Sequence, residues 1–245
     1  VGVALGGVVD ESAGFADPLL LRVAHRAGHY RPSRVAAVET PEGRIEEVAE
    51  PVFARPASTV IVLRGGSDDL EVLLVQRTPD QTFMGGMWVF PGGAVDPEDG
   101  DPETDAAQRV TALRELEEEA GITGVDPSAL VRFSRWVTPK QVSKRFDTHF
   151  FLAPMPDGAT VEIDGDECVD STWLTPGGAL SAHRAGTLPM VFPTIKHLEQ
   201  LEAFASADAL LEATRGREVV PVEPRVEMQG EQVRVLLPGD PGYDA

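Results

Sequence analysis

The sequence predicts an α/β fold of the α+β kind, a mixed β-sheet sandwiched between helices. Three observations carry that expectation. Two β-branched, apolar runs flank a Gly/Asp-rich turn; a helix-period segment ends on a glycine; and further strand-like runs and helices are interleaved after it. A length of 245 residues suits one ordinary domain with extensions.

Residues 1–50 are irregular, with scattered Gly and Pro and one apolar patch at Leu19–Leu21, and they read as an extension ordered only in part. The pattern sharpens at Ala57. Thr59–Leu63 and Glu71–Arg77 flank the turn Arg64–Asp69 and form a hairpin. Met87–Phe90 is a further short strand, stopped by Pro91-Gly92-Gly93. A helix follows from Thr104 to Ala120, with Gly121 as its C′ residue. Leu130–Thr138 and Phe146–Ala153 read as strands, and Ala159–Ile163 and Cys168–Leu174 as weaker ones. Helices are expected at Thr194–Ala205 and Ala207–Arg215, then a Pro-rich tail with one alternating run, Gln232–Leu237. The expected division is an extension over 1–52, a main domain over 53–205, and a helix with tail over 206–245 packed on it.

Composition sets limits on function. With 42% hydrophobic and 25% charged residues the chain reads as globular and soluble. Its apolar runs are strand-sized, far below the roughly 20 residues that span a bilayer, so no membrane partner is expected. No charged segment followed by an apolar stretch opens the sequence, and the single cysteine, Cys168, reads as a small, half-buried residue with no internal disulfide partner. Both fit a reducing, cytoplasmic setting. A net charge of −19 excludes a basic stripe for duplex nucleic acid. It leaves room for a small phosphorylated ligand, with divalent cations bridging carboxylate and phosphate.

The helix carries the chemistry. At 100° per residue, Leu113, Leu116 and Ala120 fall in one arc with Val110 on its edge, and these four can face a core. Glu115, Glu118 and Glu119 share another face at i, i+3 and i+4, where like charges destabilise an isolated helix. A hard divalent cation, Mg²⁺ or Mn²⁺, resolves that conflict. Arg114 lies four residues before Glu118 and can pair with it or orient a neighbouring carboxylate. A solvated acidic face is the plain alternative for any such run.

The surrounding pattern tips the balance. Arg114-Glu115-Leu116-Glu117-Glu118-Glu119-Ala120-Gly121-Ile122 fits every position in the second half of the Nudix signature G-x5-E-x7-R-E-U-x-E-E-x-G-U, where U is aliphatic. It follows a strand ending in Pro91-Gly92-Gly93, so the chain resembles the Nudix hydrolases. One departure stands out: Gly93 precedes Arg114 by 21 residues, where the signature has 14. Counting from Gly100 restores the spacing but puts Ala106 where a glutamate belongs. An insertion of about seven residues in the hydrophilic loop Asp96–Asp105 is the preferred explanation, with Glu103, then Asp96, as candidates for the displaced first glutamate.

The resemblance implies a Nudix fold and hydrolysis of a nucleoside diphosphate joined to another group. It implies that Glu115, Glu118 and Glu119 bind the metal with the carbonyl of Gly92, and that Arg114 orients them. The general base is either a helix glutamate or one from a later loop, where Glu167 and Asp166 are the candidates. A narrower likeness covers Phe90–Asp96, Thr111–Glu115, Trp136–Pro139, Arg145–Thr148, Phe150–Ala153, Leu237–Asp240 and Tyr243, which resemble the coenzyme A diphosphatase branch and its peroxisomal acyl-CoA-cleaving members. The expected substrate is therefore CoA or acyl-CoA, with ADP-ribose, NADH or a damaged nucleotide as the alternative, and a non-catalytic nucleotide sensor as a further one. Arg77 and Arg145 are candidate phosphate contacts. Phe83, Met84, Met87 and Trp88 are candidates for an apolar wall. Trp173 reads as core, the five histidines show no metal-ligand spacing, and a homodimer is a candidate assembly.

Overall fold

A strand that alternates needs cover on one face, whereas a strand apolar at every position needs it on both. Val60–Leu63 and Val72–Val75 are of the second kind, and all eight side chains are buried. The computed structural model describes residues 38–40, 43–45, 52–67, 69–81, 83–229 and 232–243. The extension expected over the first fifty residues lies outside these, apart from a two-stranded hairpin of β1 (Val38–Thr40) and β2 (Gly43–Ile45).

The two apolar runs are the cores of β3 (Arg55–Arg64) and β4 (Glu71–Arg77), at the centre of an eight-stranded mixed sheet. They pair as the expected hairpin only at Leu63↔Val72 and Arg64↔Glu71, then separate. Into the gap comes the segment of β5 (Trp88–Val89) and β6 (Gly92–Ala94): β5 pairs with β4, and β6 with β3. The Val60 N–H donates to the Pro91 carbonyl at 2.9 Å, which holds the turn in the middle of the sheet. On its far edge β3 runs parallel to β8 (Phe146–Pro154), and β8 is antiparallel to β7 (Val131–Val137). The strand β9 (Cys168–Leu174) lies antiparallel on β4.

Alternate residues then face two separate cores. Val60, Val62, Leu73 and Val75 pack against Ala112, Leu116 and Ala120 of α1 (Asp105–Ala120). Ile61, Leu63, Val72 and Leu74 pack on the other face, beneath α2 (Pro176–Arg184), α3 (Phe192–Leu201) and α4 (Ala207–Thr214), which contribute Leu180, Leu198, Leu201 and Leu210. The expected helix–sheet–helix sandwich is the observed one.

Helix α1 has the predicted ends. The Thr104 hydroxyl accepts the Ala107 N–H, and Gly121, at φ 66°, sends its N–H to Glu117 O. Its inward stripe is rotated from the expected one. Ala112 takes the place given to Val110, which is 46% exposed, and Leu113 sits at the margin. Ala159–Ile163 forms no strand, because Glu162 N–H caps the Ala120 carbonyl while Val161 and Ile163 fill the core beside α1. The helix α2 is absent from the sequence reading; Gly177 and Gly178 hide it, although Thr175 caps it and Pro176 opens it. Near the C-terminus β10 (Pro221–Val222) adds to the edge of β7, and the alternating run becomes β12 (Gln232–Leu236), paired with β11 (Arg225–Gln229). No helix among the described residues is long and apolar enough to cross a membrane.

Candidate active site

The splay between β3 and β4 sets Gly92 and Gly93 directly over the first face of α1. Glu115 and Glu119, one turn apart, point up at them and are buried. The Gly92 N–H donates to Glu119 Oε2 at 2.9 Å, and Arg77 Nη1 lies 3.2 Å from Glu119 Oε1. A Cβ at Gly92 would collide with the backbone of Ser58 and Thr59, so glycine is required there, and one at Gly93 would push the Glu115 carboxylate aside. Burial pushes the Glu119 carboxyl up to about 7, against the pull of the Gly92 N–H and Arg77. Burial raises Glu115 as well, with Arg114 opposing it.

Arg114 ties this pair to its surroundings. Its Nη1 reaches Glu115 Oε1 at 2.9 Å and Glu118 Oε2 at 2.8 Å, and its Nη2 donates to Ala94 O at 3.1 Å. Its Nε and Nη2 grip both oxygens of Asp99, at 3.0 and 2.8 Å. Asp99 is buried and also accepts from Thr111 Oγ1 and the Asp96 N–H. The Arg114 guanidinium holds its carboxyl well down, at about 2. This fork-to-fork pair makes Asp99 the acid that positions the arginine.

Asp99 corrects the expectation for the first carboxylate of the signature. Glu103 is solvent-exposed, and Asp96 reaches Arg114 only at 3.6 Å. Asp99 lies six residues after Gly93, the interval that G-x5-E requires, with aspartate in place of glutamate. The extra residues fall after it, between Asp99 and Arg114, where residues 100–104 and the first turns of α1 absorb them. Counting forward from Gly93, rather than back from Arg114, finds it.

Glu118 keeps a side chain 57% exposed. Glu167 stands on a turn whose N–H groups, at Asp166, Glu167 and Cys168, are all collected by the Asp164 carboxylate at 2.7–3.0 Å. Its carbonyl accepts from Thr78 N–H at 2.8 Å, and its charge acts on both Glu115 and Glu119. Glu115, Glu118, Glu167, Arg77 and Arg114 line one cavity of about 720 Å³; Asp166 does not.

Among the apolar candidates Phe83 and Met84 line this cavity, whereas Trp88 and Met87 do not. Trp88 belongs to the core beneath α2 and α3, so it is no substrate wall. Arg145 is likewise no phosphate contact. It is 8% exposed, and its donors go to Thr138 O, Val52 O and Glu223, at 2.9, 2.7 and 3.1 Å. Cys168 is fully rather than half buried, and burial raises its thiol. The sequence reading also missed Arg55, Lys144 and Phe146 in the cavity wall, and Val226 and Val235 from the C-terminal hairpin. All of these come together through pairings distant in sequence.

Among the described residues no three carboxylate, imidazole or thiolate groups converge in ligating geometry, Arg114 drawing Glu115 and Glu118 to itself. The donor set still fits a hard cation: it is all oxygen, on one helix face, with two carboxyls that burial holds above their ordinary range until a positive charge faces them.

Known proteins supply the class and then the family. The profile of the NUDIX domain matches residues 54–191, which contain the whole of α1, the glycine turn and Glu167, and the chain is a hydrolase acting on pyrophosphate bonds. It belongs to the Nudix family. Among its relatives, human "Acyl-coenzyme A diphosphatase NUDT19" is 24% identical, with 72% of this chain and 73% of that protein aligned. "Putative nudix hydrolase 7" of Caenorhabditis elegans is 23% identical over 70% of this chain and 69% of its own. Of solved structures, a NUDIX hydrolase from Alicyclobacillus acidocaldarius superposes with a TM-score of 0.60 at 29% identity, covering 68% of this chain and 99% of that one.

Proposed function

We propose that this chain is a Mg²⁺- or Mn²⁺-dependent diphosphatase of CoA or acyl-CoA, releasing phosphopantetheine, or its acyl form, and adenosine 3′,5′-bisphosphate. The observation that carries the reading is the composition of the cavity. Its floor is laid by alternate residues of two paired strands, Arg55, Ala57 and Thr59 of β3 beside Phe146, Thr148 and Phe150 of β8. One end of that strip meets Gly92 and the carboxylates, because Thr59 pairs with Gly92. Around the rest of it stand Phe83, Met84, Val142 and the hairpin residues Val226 and Val235 with Arg55 and Lys144, and the polar residues Gln81, Thr138 and Thr148 there are uncharged. A substrate with a diphosphate at one point and a long, mostly neutral arm matches that division. The likeness to an acyl-coenzyme A diphosphatase over 72% of the chain supports the same reading.

In this reading Glu115, Glu118, Glu119 and the Gly92 carbonyl would hold the metal, which would offset diphosphate charge and lower the pKa of a bound water. Arg114, anchored on Asp99, fixes the rotamers of Glu115 and Glu118. Arg77 and the Gly92 N–H fix Glu119. Water attacks one phosphorus in line, the bridging P–O bond breaks, and the leaving phosphate departs as an anion. Glu167, exposed at the cavity mouth on a turn braced by Asp164, takes the proton of the attacking water. Residues 53–205 form the catalytic unit, with 206–245 completing the far wall.

The test is a substrate panel with Mg²⁺: CoA, acetyl-CoA, a long-chain acyl-CoA, ADP-ribose, NADH and 8-oxo-dGTP, read by product mass. Release of adenosine 3′,5′-bisphosphate is expected. Turnover of ADP-ribose or NADH with none of any CoA species would end the CoA reading while leaving the chemistry intact.

A further inference from the structure

A chain with 40 acidic and 21 basic residues has an acid available for nearly every cation. Within the cavity Arg114 has Asp99, Glu115 and Glu118, and Arg77 has Glu119. Arg55 and Lys144 line the same cavity and, among the described residues, neither has a carboxylate partner. Both are solvent-exposed, so no fold requirement explains their meeting. Strand register brings them together. Arg55 opens β3 opposite Phe146 of β8, and Lys144 precedes Phe146 by two residues.

The aromatic rings beside them set the ammonium in place. Phe83 and Phe146 pack with ring centroids 5.5 Å apart, and Lys144 Nζ lies 4.2 Å from the centre of the first ring and 5.6 Å from the second. A cation held over aromatic faces loses less freedom when an anion arrives. Partial desolvation against the rings lowers the Lys144 pKa, and the charges of Arg77 and Arg55 lower it further, so three cations adjoin here, of which Arg77 pairs with Glu119. An anion relieves that crowding, as a metal relieves the crowded glutamates.

We propose that Arg55 and Lys144, the latter over the rings of Phe83 and Phe146, form a second anion subsite that takes a phosphate monoester carried by the substrate in addition to its scissile diphosphate. The subsite lies four β3 residues from the Gly92 pairing, a backbone span of about 13 Å, before two long side chains reach back along it. It presupposes the diphosphatase reading above and adds a selection rule: substrates with a third phosphate are preferred to those without one.

CoA and dephospho-CoA differ by one 3′-phosphate and make the pair for the test. The wild-type KM for CoA is expected to be about tenfold lower than for dephospho-CoA, one charge-assisted contact's worth. Lys144→Gln and Arg55→Gln should each narrow that ratio to about twofold, and Lys144→Arg should restore it. Equal KM values in the wild type, or a ratio unmoved in both Gln variants, would overturn the subsite. If neither compound is turned over, the substrate reading fails and calorimetry decides the subsite alone. Adenosine 3′,5′-bisphosphate should then bind the wild type about tenfold more tightly than AMP, and lose that advantage in Lys144→Gln. Equal binding of the two nucleotides by the wild type would rule the subsite out.

Discussion

Arg114 and Arg145 invite comparison because both are largely withdrawn from water, both make at least three polar contacts, and both sit in segments resembling the same enzyme branch. Their partners separate them. Arg114 joins Asp99, Glu115 and Glu118, which sit within or beside the cavity wall. Arg145 joins Val52, Thr138 and Glu223, which bring the entry to β3, the end of β7 and the start of the C-terminal hairpin to one point. An arginine's type and neighbourhood in sequence do not assign its role; where its partners lie does. One fixes the carboxylates to which the proposed function gives the chemistry, and the other holds together the strands that frame the cavity.

Replacing the glutamates on the Arg114 side should give the largest effect. Glu119→Gln removes a buried carboxylate beneath the glycine turn and should lower kcat/KM about a thousandfold, with the far-ultraviolet circular dichroism unchanged. Arg114→Lys comes next: it keeps the charge but loses the fork on Asp99, and should cost about thirtyfold in activity or metal affinity. Arg145→Ala should reverse the pattern. It removes the donors to the Thr138 and Val52 carbonyls and to Glu223, so a loss of about 2 kcal/mol in stability is expected in urea unfolding. Activity of the folded fraction should stay within about twofold. A collapse of kcat in this variant at unchanged stability would erase the contrast between the two arginines.

Acid titration sharpens the same contrast. The Asp99 carboxyl is depressed from 3.8 to about 2 by Arg114, so its stabilising contribution is complete above the unfolded value and is lost as pH falls from about 4 through 2. The loss should be at most about 2 kcal/mol, and Asp99→Asn should flatten that part of the pH–stability curve. Glu103→Ala, the smallest effect, should change neither stability nor turnover measurably, since that side chain is exposed.

What could be read from the sequence was local. The ends of α1, the two central strands and the Arg114–Ile122 half of the signature depend on residues within a few positions of one another, and each stands where expected. Asp99 is hidden because the inserted residues separate it from Arg114, so the signature's spacing holds from Gly93 forward and fails from Arg114 back. The role of Arg145 was out of reach, because its partners lie 93 and 78 residues away. So was the meeting of Lys144 with Arg55, which follows from the parallel pairing of β3 with β8. Trp88 was assigned to the site for its apolarity, yet a strand between two cores places that side chain inward.

The central claim, that the carboxylates beneath the Gly92-Gly93 turn cut the diphosphate of a CoA compound, is tested most directly by mass analysis of products. Wild type and Glu119→Gln are incubated in parallel with CoA and Mg²⁺. Adenosine 3′,5′-bisphosphate and phosphopantetheine should appear with the wild type and fall about a thousandfold in the variant. Equal release by both proteins, or release by neither, would contradict it.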